Sequence, residues 1–161
     1  GYIIVPSYDE NANLNYFVAR SYYEDNFLKH KKPKLSNDIV FNELHINWSE
    51  PIVLVEGVFD SIAIKRNAIP ILGKYISNAL YKKIIKNNVK DIYICLDNDA
   101  ITSSIDYMTE FINEGINVYF VELFQKDPSQ IGFNNMVPLL KNAKLINFSD
   151  LIALKIKYRK N

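Results

Sequence analysis

A chain of 161 residues with 48% hydrophobic side chains has room for one domain with a real core and a short appended segment, which excludes a disordered tract. A formal net charge of +1 excludes a polyanion binder that works by bulk charge, so phosphate contacts require local clusters of Lys and Arg. The single cysteine, Cys95, excludes a disulfide framework or cysteine zinc site within one chain and is the usage expected of a reducing cytoplasm.

The opening Gly1-Tyr2-Ile3-Ile4-Val5-Pro6 lacks the basic n-region of a signal peptide and reads as a chain already in a strand. Strand-like runs at 2–5 and 16–19, separated by the polar turn Asp9-Glu10-Asn11-Ala12-Asn13, predict a hairpin. From 27 to 37 the chain is basic and polar, with Lys29, Lys31, Lys32 and Lys34 around Pro33, and is expected to be a surface loop. After Glu50-Pro51, apolar strands at 52–55, 68–72, 91–96 and 118–123 alternate with helices at 59–66, 78–87 and 102–114, the last closed by Gly115. That alternation predicts an α/β fold with a parallel sheet flanked by crossover helices. Two more helices are predicted at 134–142 and 149–156, with Ser149 as N-cap. Basic clusters at Lys82, Lys83, Lys86 and Lys90 and at Lys155, Lys157, Arg159 and Lys160 are read first as solvated helix faces. No stretch approaches the roughly 20 apolar residues needed to span a bilayer, so no membrane partner is expected.

Three predicted strands run into carboxylate-bearing turns: Val55-Glu56-Gly57, Leu96-Asp97-Asn98-Asp99, and Lys126-Asp127-Pro128 after Leu123. Ligands of open α/β sheets bind beyond the carboxyl ends of the strands, so these turns are expected to converge on one crevice. Two unit charges about 4 Å apart repel by about 4 kcal/mol at an effective dielectric of 20. A hard divalent cation offsets that repulsion, and all-oxygen ligands suit Mg²⁺, Mn²⁺ or Ca²⁺ better than zinc. Gly57 allows the sharp strand-to-helix turn, and Asp60, one helical turn past Glu56, is expected to point back to the same crevice. Lys126-Asp127-Pro128 has a plainer reading as a helix start with Pro in the first turn.

Val55-Glu56-Gly57-Val58-Phe59-Asp60-Ser61, Leu96-Asp97-Asn98-Asp99-Ala100 and Lys126-Asp127-Pro128 resemble the three TOPRIM motifs of primases, topoisomerases and related nucleases. The Glu-Gly-x-x-Asp form is similar to the primase branch. Upstream, Ile4-Val5-Pro6 with Phe17-Val18-Ala19-Arg20, then Lys32-Pro33-Lys34-Leu35-Ser36-Asn37 and Val40-Phe41-Asn42, resemble the part of primases that precedes TOPRIM. Gly73-Lys74 resembles the Gly-Thr between the first two motifs. Ile101 and Ser129 depart from the pattern, standing where primases commonly carry Gly and a further acid.

The resemblance implies three regions: a β-rich segment of the polymerase core at 1–48, a Rossmann-like TOPRIM domain at 49–128, and a helical tail at 129–161. It implies Mg²⁺, with Mn²⁺ as a possible substitute, on the catalytic acids Glu56, Asp97 and Asp99, with Asp60 and Asp127 as supporting acids. Arg20, Lys34 and Lys74 are the implied nucleotide and nucleic-acid contacts. The implied activity is synthesis of short RNA primers on single-stranded DNA during replication, in the cytoplasm of a bacterium or phage-infected host. The implied partners are template, ribonucleoside triphosphates, a replicative helicase, and a zinc-binding primase module in another chain or a missing segment. The chain's short, Asn- and Lys-rich style suggests a phage or prophage primase.

Two alternatives stand beside it. A TOPRIM nuclease would hydrolyse phosphodiesters with the same acids and want a general base or acid, yet His30 and His45, the chain's two histidines, lie outside the acidic turns. A primase-derived binding module would bind without catalysis. Tyr22, Tyr23 and Phe27 could stack bases, although core packing is the commoner fate of such residues.

Overall fold

Asp9 closes the first turn by accepting the Asn11 and Asn13 backbone N–H groups on one carboxylate oxygen, at 2.9 and 2.8 Å. This fixes the predicted hairpin: β1 (Tyr2–Tyr8) pairs antiparallel with β2 (Leu14–Ser21). The computed structural model describes residues 1–23, 27–97, 100–125 and 127–158. Within the expected 27–37 loop it contains a two-residue strand, β3 (His30–Lys31), that pairs with β2 and completes a three-stranded sheet in the order β1-β2-β3. Pro6 is accommodated because β1 is an outer strand of this sheet.

The second sheet has the order β5-β4-β6-β7-β8. Strands β4 (Ile52–Val55), β5 (Ala68–Pro70), β6 (Asp91–Ile94) and β7 (Asn117–Phe120) are parallel. The helices α1 (Val58–Ile64), α2 (Asn78–Lys86) and α3 (Ile101–Asn113) fall between them in the chain, as the alternation predicts. β5 is an outer strand and ends at Pro70, where a missing N–H is tolerated.

Side chains alternate across the sheet. Ile52, Leu54, Ile92, Ile94 and Val118 pack with Leu80 and Ile84 of α2 and with Ile105, Met108 and Phe111 of α3. Val53, Val55 and Val121 pack on the other side with Ile64 of α1. A third cluster, formed by Tyr16, Phe41 and Val58 with Val5, Val18 and Leu72, joins the small sheet to the start of α1. A separate charged tie fastens the hairpin turn to α2, where Lys83 lies 2.6 Å from both Glu10 of that turn and the buried Glu43.

Helix ends follow local chemistry. Ser77 caps α2 by accepting the Leu80 N–H at 3.1 Å. Gly115, at φ 77, lets Ile116 donate its N–H back to the Phe111 carbonyl and close α3. The segment after 128 is more integrated than a run of two helices. It forms α4 (Pro128–Ile131), α5 (Phe133–Lys141), a short strand β8 (Lys144–Leu145) antiparallel to β7, and α6 (Phe148–Tyr158). Met136, Ile146 and Leu151 from this segment are core residues. Ser149 is not the cap of the last helix. Asn147 accepts the Asp150 N–H at 2.9 Å while Asp150 accepts the Asn147 N–H at 3.1 Å, a reciprocal box that starts α6 at Phe148. No helix among the described residues is long and apolar enough to cross a membrane.

Candidate active site

The chain leaves β4 toward β5 on one side of the sheet and later returns to place β6 and β7 on the other. Reversal of strand order beside β4 opens a crevice at the carboxyl ends of the strands. Glu56 follows β4, and Asp97 follows the hydrogen-bonded neighbour β6 after Cys95-Leu96. Asp127 follows the extension of β7, the next strand along. Glu56, Asp60, Asp97 and Asp127 line one crevice of about 630 Å³. Asp99 and Lys126 lie outside the described residues, as do Arg159 and Lys160 of the basic tail.

Asp60 and Asp127 hold the turns together. Asp60 is 8% exposed; one carboxylate oxygen accepts the Gly57 N–H and the other the Ser129 N–H, each at 3.1 Å. It therefore bolts the turn after β4 to the start of α4. Burial raises its pKa and the facing Asp127 charge raises it further, against the lowering effect of these donors. Asp127 caps α4, accepting the Gln130 N–H at 2.9 Å and the Ser129 hydroxyl at 2.6 Å, with Pro128 at the first helical position. The plainer reading of Lys126-Asp127-Pro128 as a helix start thus holds for Asp127 and Pro128, and Asp127 lines the crevice as well.

Gly57 is required by proximity. Its φ of −117° suits any residue, but a Cβ there would lie 2.9 Å from the Asp60 carboxylate oxygen that accepts the Gly57 N–H. At the far side of the turn, Leu72 adopts a left-handed φ of 59°, its N–H bound to the Glu56 carbonyl at 3.1 Å. The same negative field reaches the groups below. The Cys95 thiol is pushed up by burial and then by Asp60 and Asp97, and the buried Tyr107 hydroxyl is pushed up by burial and then by Glu56.

The lining also holds basic residues: Arg20 of β2, His30 and Lys31 of β3, and Lys32 just after β3. The Arg20 guanidinium sits 5.1 Å from the centroid of the Phe59 ring, while the Lys31 ammonium leans over the Tyr2 ring at 4.1 Å. Lys34 and Lys74 are exposed and do not line the crevice, although Gly73 does. His30, expected at the surface, is exposed but belongs to the lining, because the pairing of β3 with β2 brings it directly opposite Arg20. Composition gave no sign of this, since cross-strand register is a tertiary property. A second hollow of about 610 Å³ adjoins the first, shares Arg20 and Phe59 with it, and adds Tyr22, Tyr23 and Lys29. Tyr22 and Tyr23 are well exposed rather than core.

The donor chemistry of the acidic turns, carboxylates only, matches a hard divalent cation. Among the described residues, however, no three His, Cys, Asp or Glu side chains stand close enough to hold one, so the expected trio depends on Asp99.

Known proteins share this architecture. The fold matches part of that of bacterial primase catalytic cores. The zinc-binding and RNA polymerase domains of the Aquifex aeolicus primase superpose with a TM-score of 0.74 and 21% identity, covering 99% of this chain and 44% of that one. A DNA primase domain from Pseudomonas aeruginosa gives 0.76 and 19%, covering 97% and 56%. The primase fragment of the bacteriophage T7 primase-helicase gives 0.60 and 16%, covering 87% and 61%. By sequence, the chain is 36% identical over 104 residues to the uncharacterised Mycoplasma genitalium protein MG010, covering 59% of this chain and 47% of that protein. The chain thus spans about half the length of the first two primase structures and of the sequence relative. No family model matches it.

Proposed function

We propose that the chain is the catalytic core of a DNA primase, or a fragment or subunit of that core, with a TOPRIM domain whose acids Glu56, Asp97 and Asp99 hold Mg²⁺ or Mn²⁺. The observation that carries this reading is the gathering of acidic turns and basic residues in the lining of one crevice. Glu56 and Asp97 come from the ends of adjacent parallel strands, and Arg20 comes from the small sheet, on a primase-like fold. The bound cation would neutralise the negative charge of the triphosphate and favour the attacking 3′-hydroxyl. The chain's own residues do the rest. Arg20 gives a bidentate, permanently charged grip on phosphate oxygens. Asp60 and Asp127 keep the two acidic turns in register through their backbone hydrogen bonds. A single-stranded DNA template would cross the adjoining hollow, where exposed Tyr22 and Tyr23 offer stacking surfaces and Lys29 offers charge. Ribonucleoside triphosphates, a replicative helicase and a zinc-binding primase module are the partners this reading implies, in bacterial or phage-infected cytoplasm.

Dinucleotide synthesis on single-stranded DNA tests the reading, with and without added helicase and zinc-binding module. Asp97→Asn should weaken Mn²⁺ binding by at least about tenfold and abolish synthesis. Intact Mn²⁺ affinity in that variant removes Asp97 from the metal set. Hydrolysis is the second reading, favoured by His30 standing in the crevice wall. Scission of labelled DNA with Mg²⁺ or Mn²⁺ and no nucleotides would favour it.

A further inference from the structure

Arg20 and His30 are directly opposed residues of β2 and β3, so their side chains leave the same face of the small sheet, with Cβ atoms roughly 5 Å apart. It is the face that carries Tyr16 and Val18, which pack toward Val58 and Leu72 beside the acidic turns. Both Arg20 and His30 line the 630 Å³ crevice. The charged groups that share the crevice lining with His30 are Arg20 on β2, Lys31, Lys32, Glu56, Asp60, Asp97 and Asp127, and Lys29 precedes it in the chain. Two of the cations in this lining are poor proton donors at neutral pH: a guanidinium does not deprotonate in proteins, and the Lys31 ammonium is turned onto Tyr2. An imidazole ordinarily titrates at about pH 6–7 and can give up a proton and take it back within one cycle.

We propose that His30 is the general acid of the crevice, protonating the pyrophosphate that leaves during nucleotidyl transfer, while Arg20 beside it holds the phosphate oxygens. The proposal rests on the primase reading. In this step the 3′-oxygen forms a bond to the α-phosphorus, and the bond from that phosphorus to the bridging oxygen of the β-phosphate breaks. The electron pair stays on the bridging oxygen, which takes the proton of the His30 imidazolium. The 3′-hydroxyl proton passes to water, and water returns a proton to His30, so the cycle closes without another reactant.

The test uses the full chain with His30→Gln, His30→Lys and His30→Arg, all at an exposed position where folding should persist. His30→Gln should slow dinucleotide formation by about 10²–10³-fold. Its KM for the nucleotide should stay within about threefold, and it should lack the alkaline decline in rate that the proposal predicts for wild type. His30→Lys, which can still donate, should recover part of the rate; His30→Arg, which keeps charge but holds its proton, should be as slow as His30→Gln. A His30→Arg rate equal to wild type would make the residue a mere phosphate ligand and overturn the proposal. Independently of activity, Mg²⁺ with inorganic pyrophosphate should move the NMR titration midpoint of His30 upward, and a midpoint that stays put overturns the proposal. A wild-type chain that makes no dinucleotide at any pH, even with its partners, defeats the primase reading and with it His30's role in synthesis. An upward midpoint would then support the His30–pyrophosphate contact alone.

Discussion

Placing a methyl group on Gly57 tests whether the bolt between the acidic turns is real. In Gly57→Ala the new Cβ would meet the Asp60 carboxylate oxygen at 2.9 Å, inside contact distance. That oxygen cannot swing away freely, because its partner oxygen is held by the Ser129 N–H and the side chain is 8% exposed. Relief requires breaking the bond from the Gly57 N–H or the bond from the Ser129 N–H. A hydrogen bond to a charged group contributes about 1.5–3 kcal/mol. Replacing Gly by Ala at a φ that Ala accepts returns about 0.4–1 kcal/mol through the unfolded chain. The net expectation is a loss of about 1–2 kcal/mol, which for a chain of this size lowers Tm by about 2–8 °C. Urea denaturation should give the same loss without a change in slope. Combining the change with Asp60→Asn should be clearly less than additive, since both act on one contact. A Gly57→Ala protein as stable as wild type, or fully additive with Asp60→Asn, would refute the bolt.

Lys83→Met strips the cation from the buried Glu43 carboxylate and should cost about 2 kcal/mol by chemical denaturation, below the ~3–5 of a fully buried pair because Lys83 keeps some solvent contact. Hydrogen bonds to Glu10 and Glu43 raise the Lys83 pKa above its ordinary 10.5. Its stabilising contribution is therefore complete below pH 10.5 and lost as pH rises through the folded value; the variant should lack that alkaline loss. Tyr107→Phe removes a buried hydroxyl that has no hydrogen-bond partner among the described residues, so a Tm equal to or above wild type is expected, and a drop of several degrees would reveal a partner. Asn147→Ala should cost about 0.5–2 kcal/mol by thermal melting through loss of the reciprocal box before α6, whereas Ser149→Ala should cost almost nothing.

The strands of the parallel sheet were legible because each is an apolar run closed by a turn, and Ile52–Val55 has the expected bounds. The acidic crevice was legible for the same reason: Glu56 and Asp97 sit just beyond strand ends, and strand ends of one sheet share an edge. Two-residue strands carry no periodicity, so His30–Lys31 and Lys144–Leu145 were invisible until their partners were known. Of the contacts that the resemblance implies, Arg20 lines the crevice while Lys34 and Lys74 are exposed outside its lining, and the unseen β3 is what brings His30 into that lining. Asn147 and Ser149 are equally good caps by residue type, and Asp150 three residues after Asn147 was the available signal.

Among the described residues, every outer strand of the two sheets is either two residues long, as in β3 and β8, or carries a proline, as in β1 and β5. An incoming strand therefore finds little continuous ladder to extend on any border. A molecule with unshielded borders of this length would be prone to stacking into fibrils at the concentrations used for spectroscopy. Here the same short and interrupted borders should keep neighbouring copies from templating one another.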